Sequence, residues 1–190
     1  GKLGGHELNY SSDIDLLFLF AREKDKSQEF ISGVLHPLWD LHFDIGQSSR
    51  TVAETIRFAR EDVESCTAMM DGRFLAGDRE LFAQFRERYF KRLPKSAVRK
   101  LQQWRQRRQE SSGSVQLLEP NLKESPGGLR DIQTLEWALK IHAASPDTEG
   151  LWHRYLDDQD LEVLAEGCNF LWRVRHELHF STDRKRDLLE

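Results

Sequence analysis

The chain has 190 residues, of which 38% are hydrophobic and 32% are charged, and its formal net charge is −4 at pH 7. This composition indicates a soluble globular protein with room for one domain, or for a small domain and a helical partner. The negative charge argues against a dedicated nucleic-acid binder. No apolar run approaches membrane-spanning length, so we expect neither a nucleic acid nor a membrane as a partner.

Three further features bear on the class of protein. Cys66 and Cys168 lie far apart and lack the spacing of a disulfide framework or a zinc site, which fits a reducing cytoplasm. No signal peptide is evident, which also favours a cytoplasmic location. Because the chain opens at Gly1 without a Met, we expect a fragment that is truncated at its N-terminus.

The first predicted element is an apolar strand that begins at Ile14. A helix capped near Ser27 follows, with Pro37 expected at a kink or a break. Residues 41–50 predict a second strand, which would complete a strand–helix–strand unit in a mixed sheet with flanking helices. The remaining predicted elements are helices, and they are expected from Thr51 to Phe58, from Asp62 to about Phe74, after Gly77-Asp78, from Leu129 to Ala143 and from Leu161 to Phe180.

The residues at the start of the first strand are candidates for binding metal and nucleotide. In a strand, successive side chains alternate between faces, so Asp13 and Asp15 would project together. Two adjacent carboxylates are stable as anions only beside a cation, and hard oxygen ligands of this kind suit Mg²⁺. Gly4 and Gly5 could let the backbone approach a triphosphate, and Ser12 could bond a phosphate or a carboxylate. Together these residues match the pattern of the polymerase-β-like nucleotidyltransferases, although a solvated acidic edge remains the alternative.

A two-metal site needs a third carboxylate, for which Asp44 in the second strand is the candidate. Arg50, further along that strand, could neutralise phosphate charge, although an Asp44–Arg50 salt bridge is the structural alternative. Asp62 and Asp40 are weaker substitutes, since each falls at a helix end where Asp is common.

A second constellation lies in residues 117–133, where a Pro-Gly-Gly turn opens a helix. Lys123 and Arg130 flank this turn, and free N–H groups at the helix start could add to their positive charge. We therefore expect Lys123 and Arg130 to bind a nucleotide phosphate or a carboxylate. Structural ion pairs of Arg130 and Asp131 are the equal alternative.

Two stretches of the helical region carry weaker signals. Residues 91–108 hold eight basic residues and no acid, which favours a solvated helix face over a surface that faces an acidic partner or nucleotide phosphates. Residues 110–114 predict a polar loop. We divide the chain into an α/β catalytic part, residues 1–60, and an all-helical part, residues 61–190, which makes the fold class α+β.

Four blocks of sequence, in chain order, resemble the bacterial protein-PII uridylyltransferases over nearly the whole chain. The blocks are residues 4–17, 38–51, 118–135 and 170–179. The resemblance implies a nucleotidyltransferase domain followed by a helical domain, and transfer of UMP from UTP to a tyrosine of the PII signalling protein. It also implies that Asp13 and Asp15 bind metal, that Gly4 and Gly5 bind nucleotide, and that Asp44 occupies an acidic position.

Two alternatives remain at this point. Residues 1–10 are similar to the glutamine-synthetase adenylyltransferases, which share the fold and would use ATP with glutamine synthetase as acceptor. The other alternative is a catalytically inactive module that binds nucleotide or protein.

Overall fold

The structure is a computed structural model that describes residues 2–9, 11–111, 119–182, 184 and 186–189. The chain forms two compact units. The first comprises residues 1–8 and 12–93, and the second comprises residues 9–11 and 94–190. The first unit therefore joins the strands to the helices that follow them, while the division into functional domains at residue 60 stays a prediction.

The first unit contains the predicted strand–helix–strand arrangement. Strand β1 (Ile14–Phe20) pairs in parallel with β2 (Ile45–Thr51), and helix α1 (Gln28–Asp40) lies between them in sequence. Over the residues described, the sheet has only these two strands. The α+β class is therefore confirmed, whereas the expected mixed sheet is not seen.

Helix α1 is longer, and β2 starts later, than the sequence predicted. The Ser27 side chain accepts a hydrogen bond from the Phe30 N–H and so caps α1, which continues through Pro37 without a break. The N–H groups of the next three residues, 41–43, then donate to carbonyls of the last turns of α1. Residues 41–43 therefore form the turn that ends α1, and Asp44 precedes β2 instead of lying within it.

Three helices, each capped at its N-terminus by an Asp or Thr side chain, complete the first unit. They are α2 (Val52–Glu61), α3 (Val63–Met70) and α4 (Arg79–Arg92), capped by Thr51, Asp62 and Asp78. Helix α3 ends four residues earlier than predicted, so Phe74 lies outside it. The buried side chains of these helices include Ile56, Met70, Phe85 and Tyr89, which form the core of the unit.

The two faces of the sheet differ in what covers them. The Phe18 ring contacts the ring of Phe30 in α1 edge-on, with 6.3 Å between ring centroids. Because side chains alternate along β1, Phe18 and Asp15 point to opposite faces. Helix α1 therefore packs on the face opposite to the carboxylate of Asp15.

The second unit consists of helices with one short pairing of extended segments. The helices are α5 (Ser96–Ser111), α6 (Leu129–Ala143), α7 (Glu149–Tyr155) and α8 (Asp158–Thr182). The predicted bounds of α6 are confirmed. The predicted loop at residues 110–114 is wrong at its start, since α5 runs to Ser111, and its remainder lies outside the described residues. Leu101, Leu129 and Trp137 are buried and form part of the core.

Among the described helices, none is long and apolar enough to span a membrane.

Candidate active site

The glycine-containing segment before β1 is a closed turn. The N–H of Glu7 donates to the carbonyl of Lys2 over 2.8 Å, and residues 2–6 lie in the turn. A Cβ on Gly4 would overlap the carbonyl oxygen of Asp71, whereas a Cβ on Gly5 would make an ordinary contact of 3.6 Å. The absence of a side chain at Gly4 is therefore required by the close approach of Asp71. The nucleotide-binding roles of Gly4 and Gly5 remain predictions.

The Arg73 side chain, from the connection between α3 and α4, contacts this turn. Nη1 of Arg73 lies 3.3 and 3.4 Å from the two ring nitrogens of His6, and His6 itself has a left-handed backbone with φ of 58°. Asp71 and Arg73 were not expected at this place. No periodic pattern marks them, because they lie in an irregular segment.

The two predicted metal aspartates lie at the start of β1, Asp13 directly before it and Asp15 within it. The Lys2 ammonium contacts Asp13, with 2.5 Å between Nζ and Oδ1. The side chain of Asp13 is half-buried, and Asp15 is exposed. Lys2, which the motif analysis did not single out, thus belongs to the immediate surroundings of the candidate site.

Gly46 of β2 leaves room for the Asp15 carboxylate. Asp15 is opposite Gly46 in the parallel pairing, so a side chain on residue 46 would share the face of Asp15. A Cβ built there would lie 2.8 Å from Oδ1 of Asp15. The carboxylate therefore occupies space that any other residue at position 46 would fill.

Asp44 reaches the same end of the sheet through its backbone. The N–H of Ile14 donates to the carbonyl of Asp44 over 2.9 Å, and Ile14 pairs with Ile45. Extending this register by one residue places Asp44 opposite Asp13. The Asp44 side chain is exposed. Over the part of the chain that is described, no three acidic, histidine or cysteine side chains are gathered closely enough to hold a metal ion.

The weaker acidic candidates have structural roles. Asp62 caps α3 by accepting a hydrogen bond of 2.6 Å from the Ser65 N–H, and Asp40 is the exposed last residue of α1. Both therefore lie at helix ends, as the sequence suggested.

Arg50 is engaged with helix α2. Its guanidinium lies over the Phe58 ring, 3.8 Å from the centroid, which is the geometry of a cation–π contact. Along β2, Arg50 is four residues beyond Gly46, which corresponds to about 13 Å at ~3.3 Å per residue. The predicted roles of Arg50 and of the half-buried Ser12 in nucleotide binding remain predictions.

The Pro-Gly-Gly segment in the second unit does not offer the free N–H groups that the sequence suggested. The Gly127 N–H donates to the Asp131 carboxylate over 2.7 Å, and the N–H groups of Gly128, Leu129 and Arg130 donate to carbonyls of residues 122–125. The expectation of an open helix N-terminus is therefore wrong. The segment instead folds back on itself and fixes the start of α6.

Lys123 and Arg130 surround the buried carboxylate of Glu124. Nε of Arg130 is 3.4 Å and Nζ of Lys123 is 3.8 Å from Oε1 of Glu124, which also accepts a hydrogen bond from Arg108. Burial, together with repulsion by Arg130, lowers the pKa of Lys123 to about 8. Burial alone would raise the pKa of Glu124, but the hydrogen bond from Arg108 and the neighbouring cations lower it. Phosphate binding by Lys123 and Arg130 remains a prediction.

One member of the basic stretch is buried and not solvated. Arg105 is 5% exposed; its Nε donates to Asp131 over 2.5 Å and its Nη2 to the Glu124 carbonyl over 3.0 Å. Arg99 and Lys100, by contrast, are exposed. The expected solvated face is therefore wrong for Arg105, which links α5 to α6.

A second buried ionic cluster links α8 to the segment that follows it. Asp187 accepts hydrogen bonds from Nε and Nη2 of Arg175, at 2.5 and 3.2 Å, and lies 3.1 Å from Nε2 of His179. Arg175 and His179 are both buried. The sequence alone does not reveal this cluster, because it does not show that residue 187 returns to this helix.

The fold and the paired acids define an α+β chain in which a strand–helix–strand unit with carboxylates at its start precedes a set of helices. The family described as GlnD PII-uridylyltransferase matches residues 95–190, and the chain belongs to that family. Residues 1–34 match the family of glutamate-ammonia ligase adenylyltransferase.

Similar proteins are named bifunctional uridylyltransferase/uridylyl-removing enzyme. The one from Idiomarina loihiensis is 35% identical over 198 residues, and the one from Cereibacter sphaeroides is 39% identical over 196 residues. Each alignment covers 100% of this chain but 22% and 21% of the relative, respectively. The chain thus spans about a fifth of the length of these relatives.

Proposed function

We propose that this chain carries the nucleotidyl-transfer site of a uridylyltransferase, which moves UMP from UTP to a tyrosine of a PII-type signalling protein. The proposal is supported by membership of the PII-uridylyltransferase family and by the names of the similar proteins. The observation that carries the chemistry is the placement of Asp13 and Asp15 at the start of β1, on the face that α1 leaves uncovered.

In the proposed reaction, the tyrosine hydroxyl oxygen attacks the α-phosphorus of UTP. The bond from that phosphorus to the bridging oxygen of the β-phosphate breaks, and pyrophosphate leaves with the electron pair. Asp44 would accept the hydroxyl proton, because it lies in the chain segment opposite Asp13.

The residues present fit a divalent cation. Carboxylate oxygens are the ligands that Mg²⁺ prefers, and Gly46 keeps clear the space that the Asp15 carboxylate occupies. Asp13 and Asp15 would hold Mg²⁺, and Asp44 would join them once its exposed side chain turns toward the cation, since the three carboxylates are not gathered in the described structure as it stands. When bound, the cations would supply charge neutralisation at the triphosphate and favour the ionised form of the acceptor hydroxyl.

A second candidate is an adenylyltransferase that acts on glutamine synthetase. It is favoured by the match of residues 1–34, which contain the glycine turn and β1, to the glutamate-ammonia ligase adenylyltransferase family. The two candidates share the carboxylates and differ in donor nucleotide and acceptor protein.

The test supplies radiolabelled UTP and ATP separately, with PII and glutamine synthetase as acceptors and Mg²⁺ present. We expect label from UTP on PII, and a loss of several orders of magnitude in the Asp13→Asn and Asp15→Asn variants. Asp40→Asn is the matched control, because Asp40 is exposed at the end of α1 and should leave transfer unchanged.

Three results would count against the proposal. Label from ATP on glutamine synthetase, with none from UTP on PII, would select the adenylyltransferase. Binding of nucleotide without pyrophosphate release would indicate an inactive module. Near-normal transfer by an Asp13→Asn, Asp15→Asn double variant would exclude the two carboxylates as metal ligands.

A further inference from the structure

Lys2 connects the glycine turn to the first aspartate of the candidate site. Its ammonium contacts Oδ1 of Asp13, and its carbonyl accepts the hydrogen bond from the Glu7 N–H that closes the turn. One residue therefore holds both the closed turn and a carboxylate proposed to bind metal.

The other side of the turn is fixed independently. Gly4 packs against the Asp71 carbonyl so closely that a Cβ at residue 4 would overlap it. The turn is thus positioned by its backbone as well as by the lysine side chain. A change of partner by Lys2 would not by itself release the turn.

The Lys2–Asp13 ion pair is partly open to solvent, with 22% of the lysine side chain and 38% of the aspartate side chain exposed. Pairs of this kind contribute little to stability, because water screens the charges and both side chains lose freedom. A divalent cation carries twice the charge of an ammonium group and binds carboxylate oxygens directly. Lys2 and a divalent cation would therefore compete for Asp13.

We propose that Lys2 changes partner during nucleotide binding. Before binding, its ammonium neutralises Asp13 and so relieves the repulsion between the two aspartates. Lys2 leaves Asp13 when that carboxylate takes a divalent cation, and its ammonium then binds a phosphate oxygen of the nucleotide. This inference rests on the proposed function, since it requires Asp13 to be a metal ligand.

The exchange predicts effects of opposite sign on two affinities. Removing the ammonium removes a competitor for Asp13, so divalent cations should bind more tightly. It also removes a phosphate contact, so a triphosphate should bind more weakly. A lysine that merely holds the turn would weaken both affinities when replaced.

The experiment measures Mn²⁺ binding by electron paramagnetic resonance on the intact protein, followed by titration of the Mn²⁺-loaded protein with inorganic triphosphate. Only the Mn²⁺ binding that Asp13→Asn abolishes is counted. In Lys2→Met we expect Mn²⁺ to bind about threefold more tightly, in line with the small contribution of an exposed pair. The triphosphate should bind about three- to tenfold more weakly.

Two variants serve as controls. Lys2→Arg keeps the charge and should remain within twofold of the unmodified protein in both measurements. Lys24→Met removes an exposed lysine beyond the opposite end of β1 and should change neither affinity. Lys2→Gln replaces Lys2→Met if thermal unfolding shows that the methionine variant is not folded.

Unchanged or weaker Mn²⁺ binding in the Lys2 variant would overturn the exchange, as would an unchanged affinity for triphosphate. Either result would leave the metal site standing, provided that Asp13→Asn still abolishes Mn²⁺ binding. Absence of any Asp13-dependent Mn²⁺ binding in the unmodified protein would overturn both the exchange and the metal site.

Discussion

The carboxylate of Asp15 lies over the Cα of Gly46, on the neighbouring strand, where a Cβ would come within 2.8 Å of Oδ1. In Gly46→Ala the new methyl group would displace the carboxylate without removing its charge. Since misplacing a catalytic group by about 1 Å can cost about 100-fold in rate, we expect transfer to fall by roughly 10- to 100-fold. The measurement is initial rate of label transfer at saturating nucleotide.

Gly33→Ala is the control for this substitution, because Gly33 lies in α1 and, apart from its own helical turn, no atom lies within 4 Å of a built Cβ. It should leave transfer unchanged and stabilise the helix by about 0.5–1 kcal/mol. Equal rates for Gly46→Ala and Gly33→Ala would show that the position of Asp15 is unimportant.

Gly4→Ala and Gly5→Ala should differ in stability. The first substitution drives a methyl group into the Asp71 carbonyl, and overpacking of this kind costs about 1–3 kcal/mol. The second places it at 3.6 Å from Asp71 and should cost less than about 1 kcal/mol. Urea unfolding of the two variants measures the difference, and equal midpoints would contradict the packing of the turn.

These contacts could not be predicted from the sequence. The strand from Ile14 and the helix Leu129–Ala143 follow from side-chain periodicity and from the turns that flank them. Periodicity is local, however, and the contact of His6 with Arg73 joins residues 67 positions apart. For the same reason the alternation of Asp13 and Asp15 was visible in the sequence, but the partner of Asp13, Lys2, was not.

Charge patterns gave wrong predictions where burial overrode them. Arg105 belongs to a basic run that is typical of a solvated helix, yet it is buried because Asp131 and the Glu124 carbonyl satisfy its guanidinium. The prediction of free N–H groups at the Pro-Gly-Gly turn was wrong for a related reason. Whether a polar group is free depends on the fold around it, and no short motif encodes that.

Lys123 should make stability depend on pH in the alkaline range. Its pKa falls from 10.5 to about 8 in the folded chain, so between these values the unfolded chain binds more protons. The free energy of unfolding should therefore rise as pH increases from about 8 to 10.5, by at most about 3 kcal/mol. This contribution is lost as pH falls through about 8.

Urea unfolding between pH 7.5 and 10.5 measures this effect. Lys123→Met should flatten the rise, whereas Lys95→Met, at an exposed position, should retain it. The same rise in both variants would assign the pH dependence to other groups.

Asp187→Asn should be strongly destabilising, because Arg175 is 2% exposed and would keep its charge without a carboxylate partner. Breaking one side of a buried pair costs about 3–5 kcal/mol. Asp158→Asn is the control, since Asp158 is almost fully exposed 3.5 Å from His153 and should cost less than about 1 kcal/mol. Similar melting temperatures for the two variants would argue against the cluster.

The pairing of Asn121 with Leu188 has a consequence for synthesis on the ribosome. The two residues are 67 positions apart, and Asp187 and Leu189 exchange backbone hydrogen bonds with Leu122 and Pro120. At about 5–20 residues per second, a ribosome takes roughly 3–13 s to add that length of chain. During this interval residues 120–122 lack their extended partner, so a nascent chain would expose these backbone groups to water or to a chaperone.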